Sequence, residues 1–312
     1  MPAAETRAAP RPVDISIVIP SYRRPDGLAR AIASVLAQEG VAATREIVVV
    51  DNDPERTAEP IVASFPRDAG AVPIRYVAEP RRGISHARNT GVASAAGRWL
   101  AFVDDDLQVE PGWLAALLAT LRQTGADAAV GPTYPSYPPD ARVHPYCAEV
   151  YVRDLRAPSG TALGDWSIAS SIFVKDRFFP APEPFDPQLG LTGGEDTVLL
   201  RQRTLEGRRL VWCAEAVARE TIPADRIDPA YLVRRVFRGG QTTTYVCTAV
   251  QPREWGRAVR HMIGGAVQFV AWGAVAFIQR LAGRDNLSAK GRAASGLGKL
   301  LWHPSLHLRL YG

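Results

Sequence analysis

The chain has 312 residues, of which 46% are apolar and 22% charged, enough apolar material for a full core. That excludes a disordered chain, a collagen and a disulfide-stapled miniprotein. Its three cysteines, Cys147, Cys213 and Cys247, are widely spaced without a CxxC or Cys/His cluster, and the net charge of +5 is uneven: residues 234–312 carry twelve Arg and Lys against Glu254 and Asp285.

Residues 1–12 combine prolines and charges with no apolar run, the opposite of a secretory signal, and are expected to be a disordered leader. With cysteine usage, this points to the cytoplasm. Residues 13–19 are a β-branched strand ending at Pro20, and 28–36 have helical apolar spacing. Strands follow at 46–50, 74–77 and 99–103, with a helix over 85–96. Strands alternating with helices predict an α/β fold: a mostly parallel central sheet flanked by helices. Ligands in such sheets bind beyond the carboxyl ends of the strands. There the sequence places Pro20-Ser21-Tyr22, Asp51-Asn52-Asp53 and Asp104-Asp105-Asp106. Residues 131–165 are rich in Pro, Tyr and Gly without periodicity and are expected to be irregular. A buried strand is predicted over 166–174, and a Gly-rich segment ending in Glu195-Asp196 leads into a helix over 197–206.

Asp104 and Asp106 flank one residue at a strand end, where two carboxylates can converge on a hard cation, Mg²⁺ or Mn²⁺, that also holds phosphate oxygens. A solvated acidic loop is the competing reading, but three consecutive aspartates after an apolar strand repel one another without a counter-charge. Glu195 and Asp196 read either as a helix start complementing the dipole or as a carboxylate base. The sequence has no Walker P-loop and no GxGxxG, and no Ser, His or Cys has nearby triad partners.

In order along the chain stand Ile15-Ser16-Ile17-Val18-Ile19-Pro20-Ser21-Tyr22-Arg23-Arg24, Val49-Val50-Asp51-Asn52, Ala87-Arg88-Asn89, Phe102-Val103-Asp104-Asp105-Asp106 and Gly194-Glu195-Asp196. From about residue 13 to about 244 the chain strongly resembles family 2 glycosyltransferases, in particular the succinoglycan-type subgroup of bacterial exopolysaccharide glucosyltransferases. The resemblance implies a GT-A fold, a nucleotide-diphospho-sugar donor (a UDP-sugar), a divalent metal and inversion at the anomeric carbon. It implies that Pro20, Ser21, Tyr22 and Arg24 frame the base and ribose, that Asp51 bonds the uracil and that Arg88 lies on the nucleotide side. Asp104 and Asp106 become the two acidic positions of the DxD element, with Asp106 the firmer metal ligand and Asp105 its variable position beside the donor. Asp196 becomes the general base and Glu195 the runner-up or a positioning group. Where processive relatives carry Gln-x-x-Arg-Trp, this sequence has Arg234-Arg235-Val236-Phe237-Arg238-Gly239-Gly240-Gln241, which resembles the Arg-rich element of non-processive relatives and implies addition of a single sugar, with Arg235 and Arg238 either steering an anion or merely solvated; the sugar expected is a hexose. Residues 168–172 lack the Asn-rich acceptor loop of relatives.

The expected organisation is a leader at 1–12, a glycosyltransferase domain at 13–250 and a basic, partly apolar helical tail at 251–312. Residues 262–278 are apolar apart from Gln268 and have arginines on both sides. As a helix they reach about 25 Å against a bilayer core of about 30 Å, so spanning, lying on the membrane and packing in the protein stay open. Basic flanks and a lipid-linked saccharide acceptor favour the cytoplasmic face of the inner membrane. The tail has no aromatic interleaving or recognition helix, which argues against nucleic acid. Two alternatives survive: a sugar nucleotidyltransferase, although the Gly-rich basic loop it needs after the first strand is absent, and a non-catalytic scaffold of glycosyltransferase shape.

Overall fold

The structure, a computed structural model, describes residues 13–66, the backbone of 68–69, and residues 72–308. The expected leader at 1–12 and the last basic residue, Arg309, lie outside the described residues.

The β-branched run 15–21 cannot shed apolar surface except between two layers, and it becomes β1 (Ile15–Ser21), buried along its whole length. Alternate side chains serve opposite faces: Ile15, Ile17 and Ile19 join one apolar cluster, and Val18 joins the other. α1 (Pro25–Leu36) covers the first face with Leu28 and Ile32; it starts three residues before the expected helix because Pro25 suits the first turn. β2 (Arg45–Asp51) pairs parallel with β1, then come α2 (Glu59–Ser64), a two-residue β3 (Asp68–Ala69) and β4 (Val72–Ala78). α3 (Ile84–Ser94) lies on the second face. β5 (Trp99–Val103) runs parallel to β1 on its other side.

Beyond β5 the chain departs from simple alternation. β6 (Leu107–Val109), α4 (Trp113–Thr124), β7 (Ala128–Val130), β8 (Thr133–Ser136), α5 (Tyr146–Tyr151) and β9 (Ala162–Leu163) precede β10 (Ser170–Val174). The segment 131–165 is therefore not wholly irregular; its elements are too short to show a period and are held by pairing with distant strands. The strand expected at 166–174 occupies only β10, since Trp166 packs edge-on against Trp212, with ring centroids 5.2 Å apart, instead of extending the ladder. After α6 (Lys175–Phe178), α7 (Glu195–Leu205), β11 (Leu210–Trp212) and β12 (Ala218–Thr221), the chain ends in three long helices: α8 (Pro229–Ala249), α9 (Trp255–Leu281) and α10 (Leu287–Leu300).

The nine-stranded sheet has the order β3-β4-β2-β1-β5-β10-β7-β11-β9, parallel from β4 to β5 and mixed beyond, with β10 antiparallel to both neighbours. A second sheet, β6-β12-β8, stands beside the ends of β1 and β5. Parallel pairing brings Ser21 level with Asp51, so the polar strand ends share one edge.

α10 lies between α8 and α9 at a separation only glycine permits. A Cβ on Gly240 would sit 2.2 Å from the Ser295 carbonyl oxygen, and one on Gly296 would sit 2.6 Å from that of Gly265. Because backbone stands in the way, Gly240→Ala must part the helices; thermal unfolding should show a loss of about 1–3 kcal/mol, and an unchanged melting temperature would refute the close packing.

Candidate functional site

A cavity of about 810 Å³ opens at the shared strand edge, between the second sheet, the start of α7, the middle of α8 and the first turn of α9. It is lined by Pro20, Ser21, Tyr22, Arg24, Arg88, Asp104, Asp105, Asp106, Glu195 and Asp196, so ten of the eleven residues expected at a site meet there. The eleventh, Asp51, is outside its wall. Its Oδ2 accepts from the Ala58 amide at 2.9 Å and the Tyr76 hydroxyl at 3.2 Å, and its Oδ1 accepts from the Asp53 amide. Asp51 thus fastens the turn at 53–58, and a base could reach it only by exchanging one of those bonds.

Three consecutive aspartates meet three different surroundings. Asp105 turns back into the protein, accepting from the Ser21 hydroxyl, the Tyr22 amide and Arg24 Nη1, and so ties the end of β5 to the end of β1. Asp106 faces the cavity, where Arg24 Nη1 lies 2.7 Å and Arg226 Nη1 3.7 Å away. Asp104, the most exposed of the three, is 3.3 Å from Arg88 Nη2. Burial pushes Asp106 up to about 7, Glu220 across the second sheet adds to the rise, and Arg24 opposes it. Burial also raises Asp105, again opposed by Arg24.

Burial thus works against the charged form of these carboxylates more than the nearby guanidiniums support it. Asp104 and Asp106 offer hard oxygen donors one residue apart, a donor set that fits Mg²⁺ or Mn²⁺ sharing its shell with diphosphate oxygens. The described residues contain no cluster of three or more metal-ligating side chains, so such an ion would draw its other ligands from donor and water. Further along, the wall carries Arg82, Arg153, Arg226 and Arg235, a surface suited to anions.

At the opposite side of the cavity, Gly193 and Gly194 take φ of +75° and +92°, and the turn they make starts α7 at Glu195, two residues before the expected helix. Both carboxylates thereby fall in the first helical turn. Asp196 keeps a solvent-accessible face; its Oδ1 accepts from the Thr197 amide at 2.7 Å and its Oδ2 from the Ile168 amide at 3.4 Å. Glu195 is buried against Arg88 Nη1 in a close ion pair, and burial pushes it up to about 7 although Arg88 pulls the other way. Its Oε2 has no hydrogen-bond partner among the described residues. Burial lowers Arg88, but Asp104, Glu195 and Asp196 outweigh it, so the guanidinium stays charged and touches both carboxylate groups.

Sequence reasoning did not single out Glu220, Arg226 or Tyr151 as site residues, because neither motif nor period marks them. From sequence Arg238 is expected either to steer an anion or to be solvated, and the structure corrects both. Arg238 is buried on α8, donating to the Thr192 and Gly193 carbonyls and to Thr242 Oγ1, so it braces the turn that aims Glu195 and Asp196. Arg235 stacks over Tyr151 at 4.8 Å. Arg238→Lys keeps the charge but loses the forked contact; turnover should fall about 10-fold or more with donor affinity within about 2-fold. Equal losses in kcat and donor binding would show a donor contact instead.

The chain is similar to known proteins in sequence and in fold. A sequence model of glycosyl transferase family 2 matches residues 16–160. Succinoglycan biosynthesis protein ExoM of Rhizobium meliloti (strain 1021) is 33% identical over 229 residues, 73% of either chain. Succinoglycan biosynthesis protein ExoO of the same strain is 39% identical over 118 residues, 38% of this chain and 32% of its own. Among solved structures, mannosyltransferase PcManGT from Pyrobaculum calidifontis, in complex with GDP-Man and Mn²⁺, superposes with a TM-score of 0.61 at 18% identity, covering 94% of this chain and 89% of that one. S. aureus TarS 1-349, in complex with UDP, gives 0.55 at 14% identity over 79% and 69%. The shared fold is GT-A.

Proposed function

The chain belongs to glycosyl transferase family 2, and from that premise we propose that it transfers a single hexose from a UDP-sugar, with inversion and with Mg²⁺ or Mn²⁺, to a hydroxyl of a saccharide or lipid-linked saccharide in bacterial polysaccharide biosynthesis. The place of work is the cytoplasmic face of the inner membrane, and the domain carrying the chemistry is residues 13–250 with the basic tail 251–312. One observation carries the reading: within a single cavity Arg88 bridges Asp104, at the end of β5, to Glu195, at the start of α7, so the donor-side acid and the base-side pair are fixed relative to each other.

In the reaction the acceptor oxygen bonds to C1 as the bond from C1 to the diphosphate breaks, and the electron pair leaves on the diphosphate. Asp196 removes the acceptor proton at its cavity-facing carboxylate. Glu195 holds Arg88, and Arg88 holds Asp104, which keeps the two ends of the path in register. Arg24 and Arg226 lie where the departing charge builds. A divalent cation held by Asp104 and Asp106 would, when bound, neutralise the diphosphate. Tyr22, its ring flanked by Arg23 and Arg82, walls the base side. The ExoM and ExoO similarities support exopolysaccharide assembly, and the Arg-rich element at 234–241 supports addition of one sugar rather than a polymer.

Calorimetric titration with UDP and with GDP, each with and without Mn²⁺, tests the donor. Metal-dependent UDP binding is expected. Preference for GDP would replace the nucleotide and leave the site standing, whereas no nucleotide binding under any condition would return the scaffold reading.

A further inference from the structure

α9 is inside-out for a water-soluble helix. Between 263 and 278 every exposed residue is apolar, with Ile263, Val267, Val270, Phe277 and Ile278 each more than 60% exposed. The side turned towards the protein carries its polar groups: Gln268 donates to the Arg292 carbonyl and accepts from Lys299 Nζ, both on α10. Successive exposed positions follow helical spacing, so they make one stripe along a helix of about 40 Å. At its two ends stand the exposed arginines Arg253 and Arg260, and Arg280 and Arg284.

We propose that α9 lies flat in the headgroup layer of an anionic membrane, its stripe in the acyl boundary and its arginines on lipid phosphates. This deepens the membrane location proposed above and rests on it. Length and composition would allow α9 to cross a bilayer. Its attachments do not: α10 covers the mid-section of the opposite side through the Gly265–Gly296 contact, and a crossing would draw Arg292 and Lys299 into hydrocarbon. α10 in turn is locked to α8 and to Tyr146 of α5. A second copy seated on the stripe would set like-charged ends against each other, whereas anionic lipid complements them. Arg257, on the first turn of α9, lines the cavity, so an acceptor anchored in the same lipid layer reaches the site from that end.

The test uses the full chain with vesicles of phosphatidylcholine alone or mixed with phosphatidylglycerol. Binding to the mixed vesicles is expected, weakened roughly 30-fold by Arg280→Gln with Arg284→Gln and roughly 100-fold by Val267→Asp with Val270→Asp. Because all three native cysteines are buried, Arg253→Cys and Arg284→Cys report topology: an impermeant maleimide added outside should label both on bound protein. Protection of either until detergent is added would reveal a crossing and overturn the proposal. So would equal binding to both vesicle types, or a dimer that Val267→Asp dissociates in protein that ignores vesicles. UDP titration of the Val267→Asp, Val270→Asp protein checks its fold. Vesicle binding without UDP binding would sink the donor reading and spare this surface, and the reverse would sink this surface alone.

Discussion

Asp106→Ala should raise the Kd for UDP measured with Mn²⁺ by about 100-fold or more, close to 3 kcal/mol, and should leave metal-free UDP binding unchanged. The loss concentrates on Asp106 because the three neighbouring aspartates are not equivalent. Asp105 already has three donors, from Ser21, Tyr22 and Arg24, and has no free direction towards a cation. Asp104 is shared with Arg88. Asp106 faces the cavity with an acid strength weakened by burial and by Glu220, and positive charge placed beside it relieves that unfavourable crowding. Arg24 keeps its 2.9 Å contact to Asp105 after the substitution, while Arg226 loses its 3.7 Å contact, so a modest stability cost accompanies the lost affinity. Calorimetry with and without Mn²⁺ reads the effect, and melting temperature confirms the scaffold. An Asp106→Ala protein with undiminished Mn²⁺-dependent affinity would remove Asp106 as a ligand. An Asp105→Asn protein should lose stability more than metal response, since it disturbs the tie between β1 and β5.

The same residues show why part of the site could be read from sequence and part could not. The strands Ile15 to Ser21, Arg45 to Asp51 and Trp99 to Val103 are built around apolar runs that stop at turn residues, and parallel pairing brings their polar carboxyl ends to one edge. Ten of the eleven expected residues therefore meet in the cavity. Asp51 has the right address but a different set of bonds, because its carboxylate closes the turn after β2, and sequence does not say which of several nearby donors a buried acid will take. Glu220 and Arg226 were invisible for another reason. Glu220 approaches Asp106 on β12, a four-residue strand whose partners β6 and β8 are distant in sequence, and Arg226 on the single turn 224–226 that follows it, and elements so short carry no period. Arg238 was legible as a charge but not as a brace. Only the crossing of α8 beside the 192–194 turn shows that its fork meets two backbone carbonyls. The tail was read from its charge and one apolar stretch, and the glycine contacts that sandwich α10 depend on three helices at once.

Asp196→Asn should retain Mn²⁺-dependent UDP binding within about 2-fold while turnover falls by about 10³-fold, the scale of a lost general base. The amide keeps the shape of the carboxylate, so its Thr197 and Ile168 contacts can be re-formed and α7 should start where it does now. Glu195 is the rival base, and the pH profile of Glu195→Gln separates the two, because Asp106, also pushed up to about 7, contributes an acid limb in either case. Burial places Glu195 near 7, so a mechanism using it would lose turnover about tenfold for each pH unit below 7 as that carboxylate takes up a proton. With Asp196 as base, Glu195→Gln should instead slow the enzyme without removing a limb near pH 7, because its task is to hold Arg88. The position of Glu195 supports that division: it is buried in a close pair with a guanidinium, whereas Asp196 retains the open face that an incoming hydroxyl needs. A full-activity Asp196→Asn protein, or a Glu195→Gln protein whose acid limb near pH 7 vanishes together with its turnover, would reassign the proton transfer to Glu195 and leave Asp196 as the residue that starts the helix.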